Sequence, residues 1–436
     1  MKTNKMVHCK YIAFILVVLL SSMLTAQETF TLKDSKEAAL NYSKAIKNGD
    51  IRLEQAAAAK KEALSHYFPS ISATGIGLYG FDDIISPIQG LVPTGIDNIY
   101  FASVTANEVL YAGGKVQHAN EMAVLQSDVY KIQATQSKDS VVLMTSQKFW
   151  NIIELQEQMK VLESTEQYLN KLLEQQQDLL DAGLIARNDQ LKVKAEKNRL
   201  LLNKSKLNNG RKLALLDFAL YTGMKYDTTM VALAEFEDVD NPKLTYQTAD
   251  TVVTNNSSYQ LMQKSVEAKE LQVQISNAEL LPSISVGISG TQFGSFDNAI
   301  DSRFVPVAMG VISIPISDWW GAGRQKVKQD KLAIEIAKNN LEDVKDKLHV
   351  AVLQSWYNLT DAYEQIRFAE INNEQATENL EVSTDNYNAG LAGLTDLLDA
   401  QRLQQQAAAD LVNAYANYKK MEVVYLFRTN NLLGED

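Results

Sequence analysis

The sequence predicts a mainly α-helical protein with a membrane β-barrel portion, made by repeating one unit of helix, β-hairpin, very long helix and helix. Three observations carry that reading. The stretch DAGLIARNDQL (Asp181–Leu191) returns as NAGLAGLTDLL (Asn388–Leu398), with Gly183 matching Gly390, Leu184 matching Leu391 and Asp189 matching Asp396 at a constant offset of 207. Pro-Ser-Ile marks two strand entries, in YFPSISATG and LLPSISVG, where Pro69 and Pro282 are offset by 213. Two runs without Pro or Gly, from Lys115 to Gly183 and from Arg324 to Gly390, agree in length to within two residues.

Composition supports the helical majority. Only seven prolines and twenty glycines occur in 436 residues, and Ala, Leu, Gln, Asn, Lys and Glu crowd the long runs. The formal charge of −11, with no basic stripe, argues against non-specific nucleic-acid binding. Residues 1–26 read as a secretory signal peptide: Lys2, Lys5 and Lys10 precede the apolar core Ile12–Leu20, and small residues lead to Gln27. Its removal takes the charge from −11 to −14 and discards Cys9, the one cysteine, so the mature chain has no thiol. No later apolar run is long enough for a transmembrane helix. Entry into a membrane would have to be by strands.

The first repeat is expected at 27–224. Its opening helix runs from Ser35 to Tyr67, with Asp34 or Ser35 as N-cap, and Pro69 ends it. A β-hairpin at 70–110 follows. In its second strand Tyr100, Ala102, Val104 and Ala106 face one way and Ser103, Thr105 and Asn107 the other. LYAGGK closes the hairpin, and a long helix spans 115–181, about 100 Å at the usual rise. Leu155, Met159, Leu162, Leu169, Leu173 and Leu180 form a coiled-coil seam in it, interrupted at Glu166 and Gln176. A returning helix covers 188–222. Residues 225–256, with Pro242 and the acids Glu235, Glu237, Asp238 and Asp240, read as an equatorial belt or linker. The second repeat, 257–431, has a helix, a hairpin at 283–317, a long helix at 324–389 and a last helix at 394–431, before a tail at 432–436. In its first strand Ile284, Val286 and Ile288 oppose Ser283, Ser285, Ser289 and Thr291. The strand exit SDWWGAGR answers LYAGGK.

Two hairpins cannot close a barrel, and their edges would stay open. One apolar and one polar strand face suggests a barrel with lipid outside and water inside, and three copies would supply twelve strands. Tyr111, Trp319 and Trp320 stand at strand ends, where membrane-interface aromatics belong.

With these marks in order, the whole mature chain resembles the TolC family of outer-membrane efflux channels. The resemblance implies a homotrimer whose twelve-stranded barrel, set in outer-membrane lipid, continues into a long α-helical tunnel in the periplasm. It implies docking onto a periplasmic adaptor protein and an inner-membrane transporter of RND, ABC or MFS type, export of small molecules, and no covalent chemistry. YNAGLAGLTDLLDAQ fits the family's gate segment. By resemblance Asp396 and Asp399 form the constriction, Tyr387 is the gate tyrosine and Asp189 its hydrogen-bond partner. Ala392 stands where a gate arginine is expected and Tyr415 where another would follow, so either the closed-state links are weaker or Arg187 on the other tip replaces them. Gly183, Leu184, Gly390 and Leu391 would be the adaptor-docking tips. A type I protein-secretion channel shares the fold, and a secreted coiled-coil scaffold without a pore is the rival of another class. An enzyme has nothing to stand on: there is no phosphate loop or nucleophile motif, and His66, His118 and His349 lack metal-ligand spacing, so no catalytic residue, metal or cofactor is expected.

Overall fold

The computed structural model describes residues 29–87, 95–234, 239–246 and 253–432. The expected signal peptide lies outside these residues, as do Glu235, Glu237, Asp238 and residues 433–436 of the tail. In chain order the elements are β1 (Thr29–Phe30), α1 (Leu32–Tyr42), α2 (Lys44–Ser65), β2 (Ser70–Tyr79), β3 (Asn98–Tyr111), α3 (Lys115–Asp181) and α4 (Arg187–Thr222). After them come β4 (Val231–Ala232), α5 (Pro242–Thr245), α6 (Ser257–Ala278), β5 (Ser283–Gly294), β6 (Arg303–Ser313), α7 (Ala322–Asn388) and α8 (Leu394–Arg428). The long helices α3 and α7 each have 67 residues. The chain forms two units. One holds residues 47–136 and 253–349, the other residues up to 46, 137–252 and 350–436.

The first of these units carries the sheet. β2, β3, β5 and β6 form a four-stranded antiparallel sheet in that order, so the two hairpins join through β3 and β5. Ile71, Ala106, Ile288 and Ala308 make one cross-strand row, and Ala73, Val104, Gly290 and Pro306 the next, on an apolar face. Ser72, Thr105, Ser289 and Val307, then Thr74, Ser103, Thr291 and Val305, make rows on the other face. There the Ser103 and Thr291 hydroxyls share a hydrogen bond of 3.0 Å. The alternation expected for the central strands is therefore present. β6 departs from it, because Val305, Val307, Met309 and Val311 bring apolar side chains to the hydroxyl face as well. Every side chain of β2 and β6 is exposed, and the outer edges of both strands are unpaired among the described residues. A bulge between Val109 and Tyr111 turns Tyr111 onto the apolar face opposite Ile284.

Where the strands meet the helices, Glu279 is gripped from two sides, by Lys326 at 2.7 Å and Lys115 at 2.9 Å. The hydrogen bond from Lys326, then that from Lys115, holds its carboxyl below the usual glutamate range. A depressed carboxyl contributes stability above its unfolded pKa and loses it as pH falls through the folded value. Glu279→Gln is thus expected to cost under about 1 kcal/mol at pH 7, since all three side chains are partly solvated. The cost should vanish in acid. Urea titrations at neutral pH and near pH 3 check both.

The second unit is built on three apolar clusters. Phe30, Phe149, Trp150, Leu215, Phe218 and Met230 form the largest, near the chain's start. Trp356, Leu359, Ile366, Tyr418 and Tyr425 form the second, on α7 and α8. Leu169, Leu172, Val193, Leu200, Leu394 and Leu397 form the third, close to the helical tips. One expectation changes here. The opening helix starts earlier and is broken. Thr31 is its N-cap, with Asp34 at N3 of a capping box: the Asp34 N–H donates to Thr31 Oγ1 at 3.2 Å and the Thr31 N–H to Asp34 Oδ2 at 3.0 Å. Ser43 then interrupts it, in an extended-type conformation between α1 and α2. Within 225–256, the described residues around Met230 and Ala232 pack into the first cluster. β4 pairs in parallel with β1, and Gln156 clasps Ala232, donating to its carbonyl at 3.0 Å and accepting its N–H at 2.9 Å.

Candidate functional site

The two tips are the same motif made twice. α3 ends in Gly183 at φ 73°, where the Leu184 N–H donates to the Leu179 carbonyl at 2.9 Å and the Gly183 N–H to that of Leu180 at 2.9 Å. α7 ends in Gly390 at φ 73°, where the Leu391 N–H donates to the Asn386 carbonyl at 2.8 Å and the Gly390 N–H to that of Tyr387 at 3.0 Å. This is the Schellman ending, and its left-handed residue is what requires glycine, because a Cβ at either site would meet nothing within 4 Å. In that motif an apolar residue after the glycine usually folds back on the helix. Here Leu184 is 72% and Leu391 78% exposed, so both tips hold a leucine outward.

Beyond the second tip, α8 is sharply two-faced. Leu394, Leu397, Ala400 and Gln401 are buried, while Asp396 and Asp399 are exposed on the far side, three residues apart. Both carboxylates already have work within the chain. Asp396 accepts the Gly393 N–H at 3.1 Å and so closes the start of α8, where the helix dipole also favours it. Asp399 pairs with Arg402 at 2.8 Å, a cation that sequence reasoning passed over.

The residues expected to form the hydrogen-bond network are placed differently. Tyr387 and Asp189 make no hydrogen bond to each other. Asp189, in the first turn of α4, pairs with Lys192 at 3.1 Å, and Lys192 also reaches Thr395 at 3.5 Å. Arg187 opens α4, exposed, with no ion pair among the described residues. The Tyr387 hydroxyl instead accepts from Gln176 Nε2 at 2.7 Å. Gln176 is fully buried, one of the two polar residues that interrupt the seam of α3. That interruption was the signal for it.

At the sheet, Tyr111 closes β3 and Trp319 and Trp320 follow β6, at strand ends that lead into helices, and Trp319 Nε1 donates to the Leu280 carbonyl at 2.7 Å. Sequence reasoning missed a second aromatic group at the opposite end. There Tyr79 meets Phe81 at 6.1 Å, Tyr100 meets Phe296 at 5.1 Å and Phe101 stacks on Phe293 at 6.5 Å. From Tyr100 to Tyr111 the strand covers roughly 35 Å, which at a tilt of about 45° separates the two aromatic groups by about 25 Å, the height of an apolar barrel band. No described helix is long and apolar enough to cross a membrane.

Comparison with known proteins gives three kinds of finding. The family model for outer membrane efflux proteins matches residues 249–423. No curated protein matches the sequence. Among solved structures, the outer membrane protein VceC of Vibrio cholerae superposes with a TM-score of 0.75 at 15% identity, covering 91% of this chain and 95% of that one. The CmeC outer membrane channel of Campylobacter jejuni does so at 0.78 and 16%, covering 92% and 86%. The open-state MtrE outer membrane channel of Neisseria gonorrhoeae gives 0.75 and 15%, covering 92% and 89%. At such identities the likeness is one of fold.

Proposed function

We propose, from the premise that residues 249–423 belong to the outer membrane efflux protein family and that the chain has the fold of outer-membrane channels, that this protein is the outer-membrane channel of a tripartite efflux system. Three copies close a twelve-stranded barrel in outer-membrane lipid, and their helices continue as a tunnel into the periplasm. The observation that carries this is the sheet. Its four strands have an apolar face, a hydroxyl-rich face, aromatic groups at both ends and two open edges, which is one third of a barrel and cannot stand alone.

The tips would meet a periplasmic adaptor through Gly183, Leu184, Gly390 and Leu391, with an inner-membrane transporter supplying small-molecule cargo. Asp396 and Asp399 would ring the constriction, and Tyr387 would take part in its closure. Type I protein secretion is the same channel with another cargo, chosen by the inner-membrane partner. The test is direct. Detergent-purified protein should have the mass of a trimer and open discrete, cation-preferring conductances in a planar bilayer. A monomer that stays in solution without detergent and never conducts would sink the proposal and restore the scaffold reading.

A further inference from the structure

We propose that the partly buried hydrogen bond between Gln176 and Tyr387 is the latch that holds the two helical tips together, and that Gln176 is the residue positioning Tyr387. This deepens the channel reading and rests on it. The first tip hairpin (α3 and α4) is tied to the second (α7 and α8) by a short series of polar rungs. Tyr168 and Thr384 are 3.4 Å apart, Gln175 donates to Asn388 at 3.1 Å, Gln176 to Tyr387 at 2.7 Å and Lys192 to Thr395 at 3.5 Å. They are not equivalent. The Gln175 and Lys192 rungs are exposed and the Tyr168 rung is long, so water can replace each of them at little cost. Gln176 has no exposed surface, and Tyr387 packs on the cluster of Leu169, Leu172, Val193, Leu200, Leu394 and Leu397. Separating them would leave the fully buried Gln176 amide without its partner beside an apolar cluster.

A second observation says the latch is poised rather than permanent. The Gln176 Oε1 atom is buried with no hydrogen-bond partner among the described residues. The joined state therefore satisfies the amide's donor and starves its acceptor. A sliding of α7 against α3 that admitted water would lose the one bond and supply the other, so part of the cost of release would be returned. Asp189, the other candidate for holding Tyr387, is engaged by Lys192. An amide also has no proton to lose, so this latch holds across a range of pH in which a carboxylate would release.

The test uses the full mature trimer in planar bilayers, comparing wild type with Gln176→Leu, Tyr387→Phe and the double variant. Each single change is expected to raise the ratio of open to closed current by about fivefold, the equivalent of one ordinary hydrogen bond. The double variant should do no more than the larger single. Leu169→Ala, which removes packing from the same cluster but leaves the bond, should lower the melting temperature and keep wild-type gating. Single effects that multiply, unchanged gating in Gln176→Leu, or equal opening by Leu169→Ala would each overturn the latch. Tyr387→Phe, which removes a single oxygen, decides the matter if Gln176→Leu fails to assemble: unchanged gating in it overturns the proposal. A wild-type protein that forms no pore defeats the channel reading itself.

Discussion

Phe218→Ala is expected to lower the unfolding free energy of its unit by about 3–5 kcal/mol, the largest stability effect of any single truncation proposed for this chain. Phe218 lies on α4 with no exposed surface and stacks on Phe30 at 5.0 Å. Phe30 in turn meets the edge of Phe149 at 5.9 Å and belongs to β1, whose only strand partner among the described residues is β4. Removing the Phe218 ring leaves a cavity beneath a two-residue strand that has little else to hold it. The loss should therefore spread to the belt at Met230 and Ala232, which share the cluster. Urea denaturation followed by tryptophan fluorescence would report it, since Trp150 contacts Phe149 at 5.6 Å within the same core. Leu220→Ala, two positions along on the exposed side of the helix, should change stability by less than about 0.5 kcal/mol. Equal losses from the two would mean that the core is elsewhere.

The second large effect is functional. Replacing Asp396 and Asp399 together by asparagine should weaken block by multivalent cations on the order of tenfold for each carboxylate ring removed, each tenfold step being about 1.4 kcal/mol. In a trimer the two aspartates of each copy would face those of its neighbours, and crowded carboxylates draw cations strongly. Asparagine is the right replacement because Asp396 also accepts the Gly393 N–H, a role the side-chain amide oxygen can keep. Alanine at that position would add a capping loss to the electrostatic one. Arg402 sharpens the expectation. With Asp399 neutralised, its guanidinium loses its pair, so selectivity should move from cations toward anions as well as lose strength. Reversal potentials under a salt gradient measure this. Selectivity and block that ignore the double change would remove the two aspartates from the constriction and leave the fold untouched.

What could be seen in the sequence follows the range of each interaction. The duplicated tips were legible because a Schellman ending needs glycine at one position, and Gly183 and Gly390 both supply it with the same φ of 73°. The strand faces were legible because Ser283–Ser289 alternates with a period of two. The break at Ser43 was not, since neither proline nor glycine marks it. The pairing of β1 with β4 was hidden for another reason. β1 and β4 are two residues each and lie about two hundred positions apart, so neither has a local signature. At the candidate gate the carboxylates were read from their spacing, and their neighbours were not. Arg402 is an ordinary surface cation until Asp399 is seen beside it, and Gln176 is a flaw in a leucine seam until Tyr387 arrives from 211 residues away.

The open edges of β2 and β6 have a genetic consequence. A strand edge completed by a neighbouring copy, as the proposed barrel requires, would make each chain answerable for the one beside it. A proline placed in β2 would spoil the junction with the next copy while leaving that chain's own helices able to assemble. Expressed equally beside the normal protein, it would leave about one assembly in eight free of a damaged member if chains mix at random in threes. Such an allele should act dominantly, and the depth of its dominance would count the copies in the pore.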